Sequence, residues 1–223
     1  MLKKSHAYLL KLSKNNNREW FHDHKQEYTE AKEEFVHFTQ QLIDGMSDFE
    51  NLGDLKAKDC IYRIQRDVRF SPNKTPYNTH FSAMIALQGR KTRLAPYYFR
   101  LKPDGESLVA GGVWEGKAAM INTIREEIDY NMGAFKAILE APAFVQFFKS
   151  MEGNQLKRPP KGYPPDHPQI DLLRHKQFLV FHHYPHRQAL KRNFSDYLLE
   201  AFRSMKPFLD FLNAPLRDYH GLD

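Results

Sequence analysis

One cysteine in 223 residues excludes a disulfide within the chain, so an apolar core must hold the fold. A lone thiol also fits a reducing compartment, and the expected location is the cytoplasm. Long apolar runs are missing too. The opening Met1-Leu2-Lys3-Lys4-Ser5-His6 is not followed by the roughly 7 to 15 apolar residues of a secretory signal. No stretch reaches the about 18 apolar residues of a membrane span, so no membrane partner is expected. A Walker sequence and a strand-linked Gly-x-Gly-x-x-Gly are absent, which removes the usual mononucleotide and dinucleotide signatures. Ser71 lacks a Gly-x-Ser-x-Gly setting, so a nucleophile elbow is unsupported. The dense His182-His183-Tyr184-Pro185-His186 has no carboxylate or cysteine at a zinc spacing; it reads as polar edge residues, and no metal or cofactor is expected. What the chain does have is 41% hydrophobic and 13% aromatic residues, too many for wholesale disorder. A single domain spanning 1–223 would bury roughly 70% of the surface its unfolded chain exposes, enough to stand without staples.

The 33 basic and 27 acidic residues leave a net charge of +6, and its distribution is uneven. Residues 58–102 hold ten basic against two acidic residues, a net +8, and residues 157–192 hold eight against two, a net +6. The intervening and terminal segments, 1–57, 103–156 and 193–223, are all acidic, at −2, −4 and −2. If the two basic blocks fold onto one face, that face attracts anions more strongly than a pI of about 9.2 suggests.

Asn17 can cap a helix that starts with Arg18-Glu19-Trp20, and Glu19 suits the positive end of the dipole. From there Trp20, His24, Tyr28, Ala31, Phe35, Phe38, Leu42, Met46 and Phe49 recur at steps of three and four. That spacing predicts one long amphipathic helix with a core-facing aromatic stripe and a bend or break near Gly45. Cys60–Ile64, Phe81–Leu87, Tyr97–Leu101 and Leu108–Val113 read as strands separated by turn residues, close enough in sequence to be antiparallel neighbours. Cys60, heading the first of these, is expected to be an inert buried thiol. Helices return at about 117–130 and 134–150, a proline-rich basic loop covers 157–165, Gln177–Tyr184 is a strand, and Phe194–Leu212 a closing helix. The expected fold is α+β, a central, mainly antiparallel sheet flanked by long N- and C-terminal helices.

The chemistry concentrates in Arg63-Ile64-Gln65-Arg66-Asp67-Val68-Arg69-Phe70-Ser71-Pro72-Asn73-Lys74-Thr75-Pro76-Tyr77-Asn78-Thr79-His80. A guanidinium fork matches carboxylate or phosphate oxygens two at a time, so Arg63, Arg66 and Arg69 suit an anion clamp, with Asp67 orienting it and Lys74 and Tyr77 closing it. If the segment is extended, Arg66 lies opposite Arg63 and Arg69; if it is a helical turn, all three are near one another. A paired ion lattice that pins loops fits the same residues, yet one carboxylate cannot neutralise four cations. Were the protein an enzyme, Asp67 or His80 would move the proton and Tyr77 would donate. Gly111-Gly112 suits a strand bulge or amides turned toward an anion. Arg158 and Lys161 would face an anion from the basic loop, with Tyr163 available to stack, if that loop is more than a solvated connection.

This stretch resembles the signature of domain of unknown function 2461, a mostly bacterial family without an established activity: an arginine, then Arg-Asp-x-Arg-Phe, then an acidic residue or Asn before Lys, then Tyr. The likeness runs essentially full length, through Asn16-Asn17 with Trp20-Phe21, Tyr97-Tyr98, Gly111-Gly112-x-Trp114, Arg158-Pro159-Pro160-Lys161-Gly162-Tyr163 and Asp171-Leu172-Leu173-Arg174. Asn73 stands where Asp is common and Asn78 where Lys is common, and each alters the local charge. The resemblance implies membership and no particular reaction. From the residues, the expected function is binding of a small phosphate- or carboxylate-bearing anion at an arginine-rich pocket, with or without catalysis. The alternatives are a nucleic-acid-associated protein using the two basic segments, for which Tyr97-Tyr98-Phe99-Arg100 and Phe178–Arg187 interleave aromatic and basic residues, and a non-catalytic interaction module built on the long helices.

Overall fold

The computed structural model describes residues 1–222. In chain order its elements are α1 (Lys3–Lys14), α2 (Arg18–Asp23), α3 (Lys25–Met46), α4 (Ala57–Cys60), β1 (Phe81–Ile85), β2 (Tyr97–Leu101), β3 (Ser107–Val113), α5 (Ala118–Tyr130), α6 (Met132–Glu140), α7 (Pro142–Phe147), α8 (Ile170–Leu173), β4 (Phe178–Tyr184) and α9 (Phe194–His220). The strands form one antiparallel sheet in the order β1-β2-β3-β4, with helices at both termini, so the architecture is α+β. Contacts group the residues into two compact units, the first made of Met1–Lys91, Tyr98–Val109 and His183–Glu200, the second of Thr92–Tyr97, Ala110–His182 and the chain from Ala201 on.

The first unit begins with a helix that the apolar pattern did not announce. α1 carries lysines at 3, 4, 11 and 14 and buries Tyr8, Leu9 and Leu12 on one stripe. Its partner is α3: Lys4 and Lys11 pair with Glu30 at 2.9 Å and Glu27 at 2.7 Å, and the Ser5 hydroxyl donates to Ala31 O at 2.8 Å. The expected single helix from residue 18 is two helices, because His24 leaves helical geometry at φ −106°, ψ 23°. Its ring stacks on Trp20 at 4.1 Å and its Nδ1 lies 2.9 Å from Trp20 O. The break falls there and not near Gly45, which lies inside the last turn of α3. Beyond it, Phe35 meets Phe81 and Phe99 at 5.3 and 5.2 Å, and Phe38 stacks on Phe194 at 5.2 Å. The core face of β1 and β2 is thereby covered by α3, and the even-numbered side chains of those strands turn the other way.

The strand expected over Cys60–Ile64 does not form. Cys60 ends α4 instead, buried, with its thiol pushed up to about 12 by burial above all. The following residues pair only through isolated antiparallel bridges, Ile61 with Ala83 and Gln65 with Tyr77, which make 61–83 an irregular hairpin. In the second unit the helix expected over 134–150 is divided at Ala141, where Pro142 opens α7 as the first helical residue. α9 runs eight residues past the expected end at Leu212, over Pro215, because Leu216 continues the buried stripe of Leu209 and Leu212. Gly112 holds φ +118°, and a Cβ there would lie 2.0 Å from Phe178 O. At Gly111 a Cβ would be 2.1 Å from Met205 Sδ, so the glycine pair serves close packing, and protein atoms fill the space an anion would need.

Candidate functional site

The hairpin stem is tied by Tyr62 N to Ser82 O (3.1 Å), Asn78 N to Ile64 O (2.8 Å) and Arg66 N to Pro76 O (2.9 Å). At the tip, Asn73 Oδ1 accepts the Thr75 amide at 2.9 Å, a local turn of the kind asparagine favours. The tip cations then close the loop on itself. Arg66 Nη1 donates to Thr75 O at 3.0 Å and to its hydroxyl, Arg66 Nη2 to Ser71 Oγ at 3.3 Å, and Lys74 Nζ to Val68 O at 3.0 Å. Arg69 forks onto Asp67, Nε to Oδ1 at 3.0 Å and Nη2 to Oδ2 at 2.7 Å. The three arginines therefore do not share one target: Arg66 and Lys74 staple the loop, Arg69 is paired, and Arg63 is exposed, its charge felt at Asp67. Phe70 stands 94% exposed at the tip.

The groups named for proton transfer sit in settings that move them away from neutrality. Hydrogen bonds from the Arg69 side chain, then its backbone amide, hold the Asp67 carboxyl below the usual range, and the Arg63 charge adds to this. Burial pushes His80 down to about 4; Arg100 and Lys102 lower it further and Asp104 opposes them. A general acid or base works best with a pKa near the operating pH, and neither group has one. Tyr77 is an anchor. Its ring stacks on Phe21 at 4.1 Å, and Asn16 clasps its backbone, donating Nδ2 to Tyr77 O at 2.8 Å and accepting the Tyr77 amide at 3.1 Å. The Asn16…Phe21 and Lys74…Tyr77 parts of the signature thus meet in space, 61 residues apart in sequence.

Sequence reasoning also missed an assembly on the outer face of β1 and β2. Burial alternates along β2, leaving Tyr98 and Arg100, with Lys102 just beyond the strand, half-exposed on one side. Tyr62 joins them across the hairpin, its ring centroid 6.5 Å from that of Tyr98 and its hydroxyl donating to Met84 Sδ at 3.6 Å. The Arg90 guanidinium lies 5.6 Å over the Tyr62 ring while its Nε donates to Asp59 O at 3.2 Å. Arg100 Nε donates to Glu106 O at 3.1 Å. The period-two run Tyr98, Arg100, Lys102 was a readable signal for half of this face; Tyr62 and Arg90 reach it only through the hairpin and the turn at Gly89–Lys91.

In the second unit, Arg158 and Lys161 are exposed on their loop. Arg174 holds the loop's base, donating to Leu156 O at 2.8 Å and Lys157 O at 3.0 Å. His182 Nδ1 is 2.9 Å from Phe147 O. In the first unit, His186 Nδ1 is 2.6 Å from Pro103 O. Among the described residues no three His, Cys, Asp or Glu side chains are grouped to hold a metal ion, and no helix is long and apolar enough to cross a membrane.

No curated protein and no solved structure matches the chain. The resemblance carried by the hairpin signature and by Asn16, Trp20 and Phe21 is met at full scale by a family model. The family described as conserved hypothetical protein DUF2461 matches residues 4–211, and the chain belongs to it.

Proposed function

We propose that the chain binds a phosphate- or carboxylate-bearing ligand on the cationic face of its first unit. Arg63, Arg100 and Lys102 would meet the anion, while Arg66, Arg69 and Lys74 keep the adjoining hairpin in shape and Asp67 holds Arg69. The observation behind this is the excess of positive charge around His80, where Arg100 and Lys102 outweigh the one opposing carboxylate, Asp104. Arg100 and Lys102 both oppose its protonation, and neither has a carboxylate partner among the described residues. Charges left unpaired on a half-buried face favour an incoming anion that supplies the missing partner.

Isothermal titration calorimetry with tripolyphosphate at low ionic strength tests the proposal. Binding is expected, and the double variant Arg63→Ala, Arg100→Ala should weaken it by about tenfold or more at an unchanged melting temperature, since each charge-assisted contact is worth on the order of 1.5–3 kcal/mol. Absence of any heat with phosphate, tripolyphosphate and citrate would overturn it.

A further inference from the structure

We propose that the ligand of this face is a single-stranded polynucleotide, its bases stacked on Tyr62 and Tyr98 and its phosphates met by Arg90, Arg100 and Lys102. The proposal rests on the anion-binding reading above and gives its ligand a class. A small anion needs only charge, and this face offers more than charge. Two tyrosine rings meet edge to face on this side of the sheet, their centroids 6.5 Å apart and their planes at 63°, so each would offer its own face to a different base. Tyr62 is 38% exposed; its hydroxyl is held by the Met84 sulfur, and the Arg90 guanidinium lies 5.6 Å over one face of its ring. Arg90 is in turn held by Asp59 O, so the cation over the ring is in place before any ligand arrives. Along β2 the pleat spaces Tyr98, Arg100 and Lys102 on the same side, which sets a stacking surface beside a row of positive charge.

That combination of π-faces and a cationic track is what an unpaired strand can use, because every base presents a face for stacking and every link carries a phosphate. A duplex hides those faces within its own stack, so it can use the charge and not the rings.

Fluorescence anisotropy with labelled fifteen-residue oligo-dT and oligo-rU, a duplex of the same length, and tripolyphosphate as competitor tests the proposal on the full chain. Both single strands are expected to bind more tightly than the duplex, with affinity falling steeply with salt. Tyr62→Ala and Tyr98→Ala should each weaken single-strand binding by about five- to a hundredfold and leave tripolyphosphate binding unchanged, while Tyr98→Phe, which keeps the ring, should stay within about twofold of the parent. If one of the two oligomers binds much more tightly, the 2′-hydroxyl or the thymine methyl group is what discriminates them, and stacking still stands. If the alanine variants fold and bind oligonucleotide as the parent does, or if duplex binds as well as single strand, stacking is wrong and simple anion binding survives. If neither oligonucleotide nor tripolyphosphate binds, both fall.

Discussion

Lowering the pH from 7 to 5 should cost this protein stability through His80 in particular. Burial, with Arg100 and Lys102 beside it, takes the imidazole from 6.5 to about 4 in the folded chain. A histidine that resists its proton when folded accepts it first when unfolded. Its contribution is therefore fully present above pH 6.5, is lost as the pH falls from 6.5 toward 4, and changes no further below that. At about 1.36 kcal/mol per pH unit the full effect is about 3 kcal/mol, of which about 2 kcal/mol is gone by pH 5. Urea unfolding of the parent and of His80→Gln at both pH values isolates it, because His6 and His175, whose pKa values burial also lowers, titrate alike in both proteins. The parent should lose about 2 kcal/mol more than the variant. An NMR titration of the His80 ring should show the same midpoint, moving upward when tripolyphosphate is added. Equal losses in the two proteins would refute the assigned surroundings of His80.

Asn16→Ala should destabilise the fold by about 2–3 kcal/mol, because it leaves both backbone groups of Tyr77 without their partner, and a lowered urea midpoint would register it. Gly112→Ala should cost about 3 kcal/mol or more by thermal unfolding, since the new methyl meets Phe178 O, whereas Gly162→Ala, at φ +98° with nothing within 4 Å, should cost only about 1–2 kcal/mol. The Cys60 thiol should resist a thiol-reactive dye in the native protein and react promptly in denaturant, in keeping with its buried position and raised pKa.

Legible in the residue pattern alone were the class of fold, the position of β2 to the residue, most of β1, β3 and β4, and the family. Those elements follow from local pattern: alternation along Tyr97–Leu101, and three-and-four spacing along the α3 stripe from Ala31 to Met46. The same local signals misled where a tertiary partner supplied what the segment lacked. α1 has only a narrow apolar stripe and depends on α3 for both its packing and its ion pairs. α9 continues past Leu212 and over Pro215 because its stripe stays buried at Leu216. The arginine-rich stretch was legible as a concentration of charge. Its use was not, because an arginine's partner is chosen by loop geometry: Arg66 turns to Thr75 and Ser71, Arg69 to Asp67, and Arg63 stays exposed, its charge felt at Asp67. The clasp between Asn16 and Tyr77 and the face shared by Tyr62, Arg90, Tyr98 and Arg100 join residues tens of positions apart. Charge and aromaticity are written residue by residue, but which of them share a surface is decided only when the hairpin and sheet close.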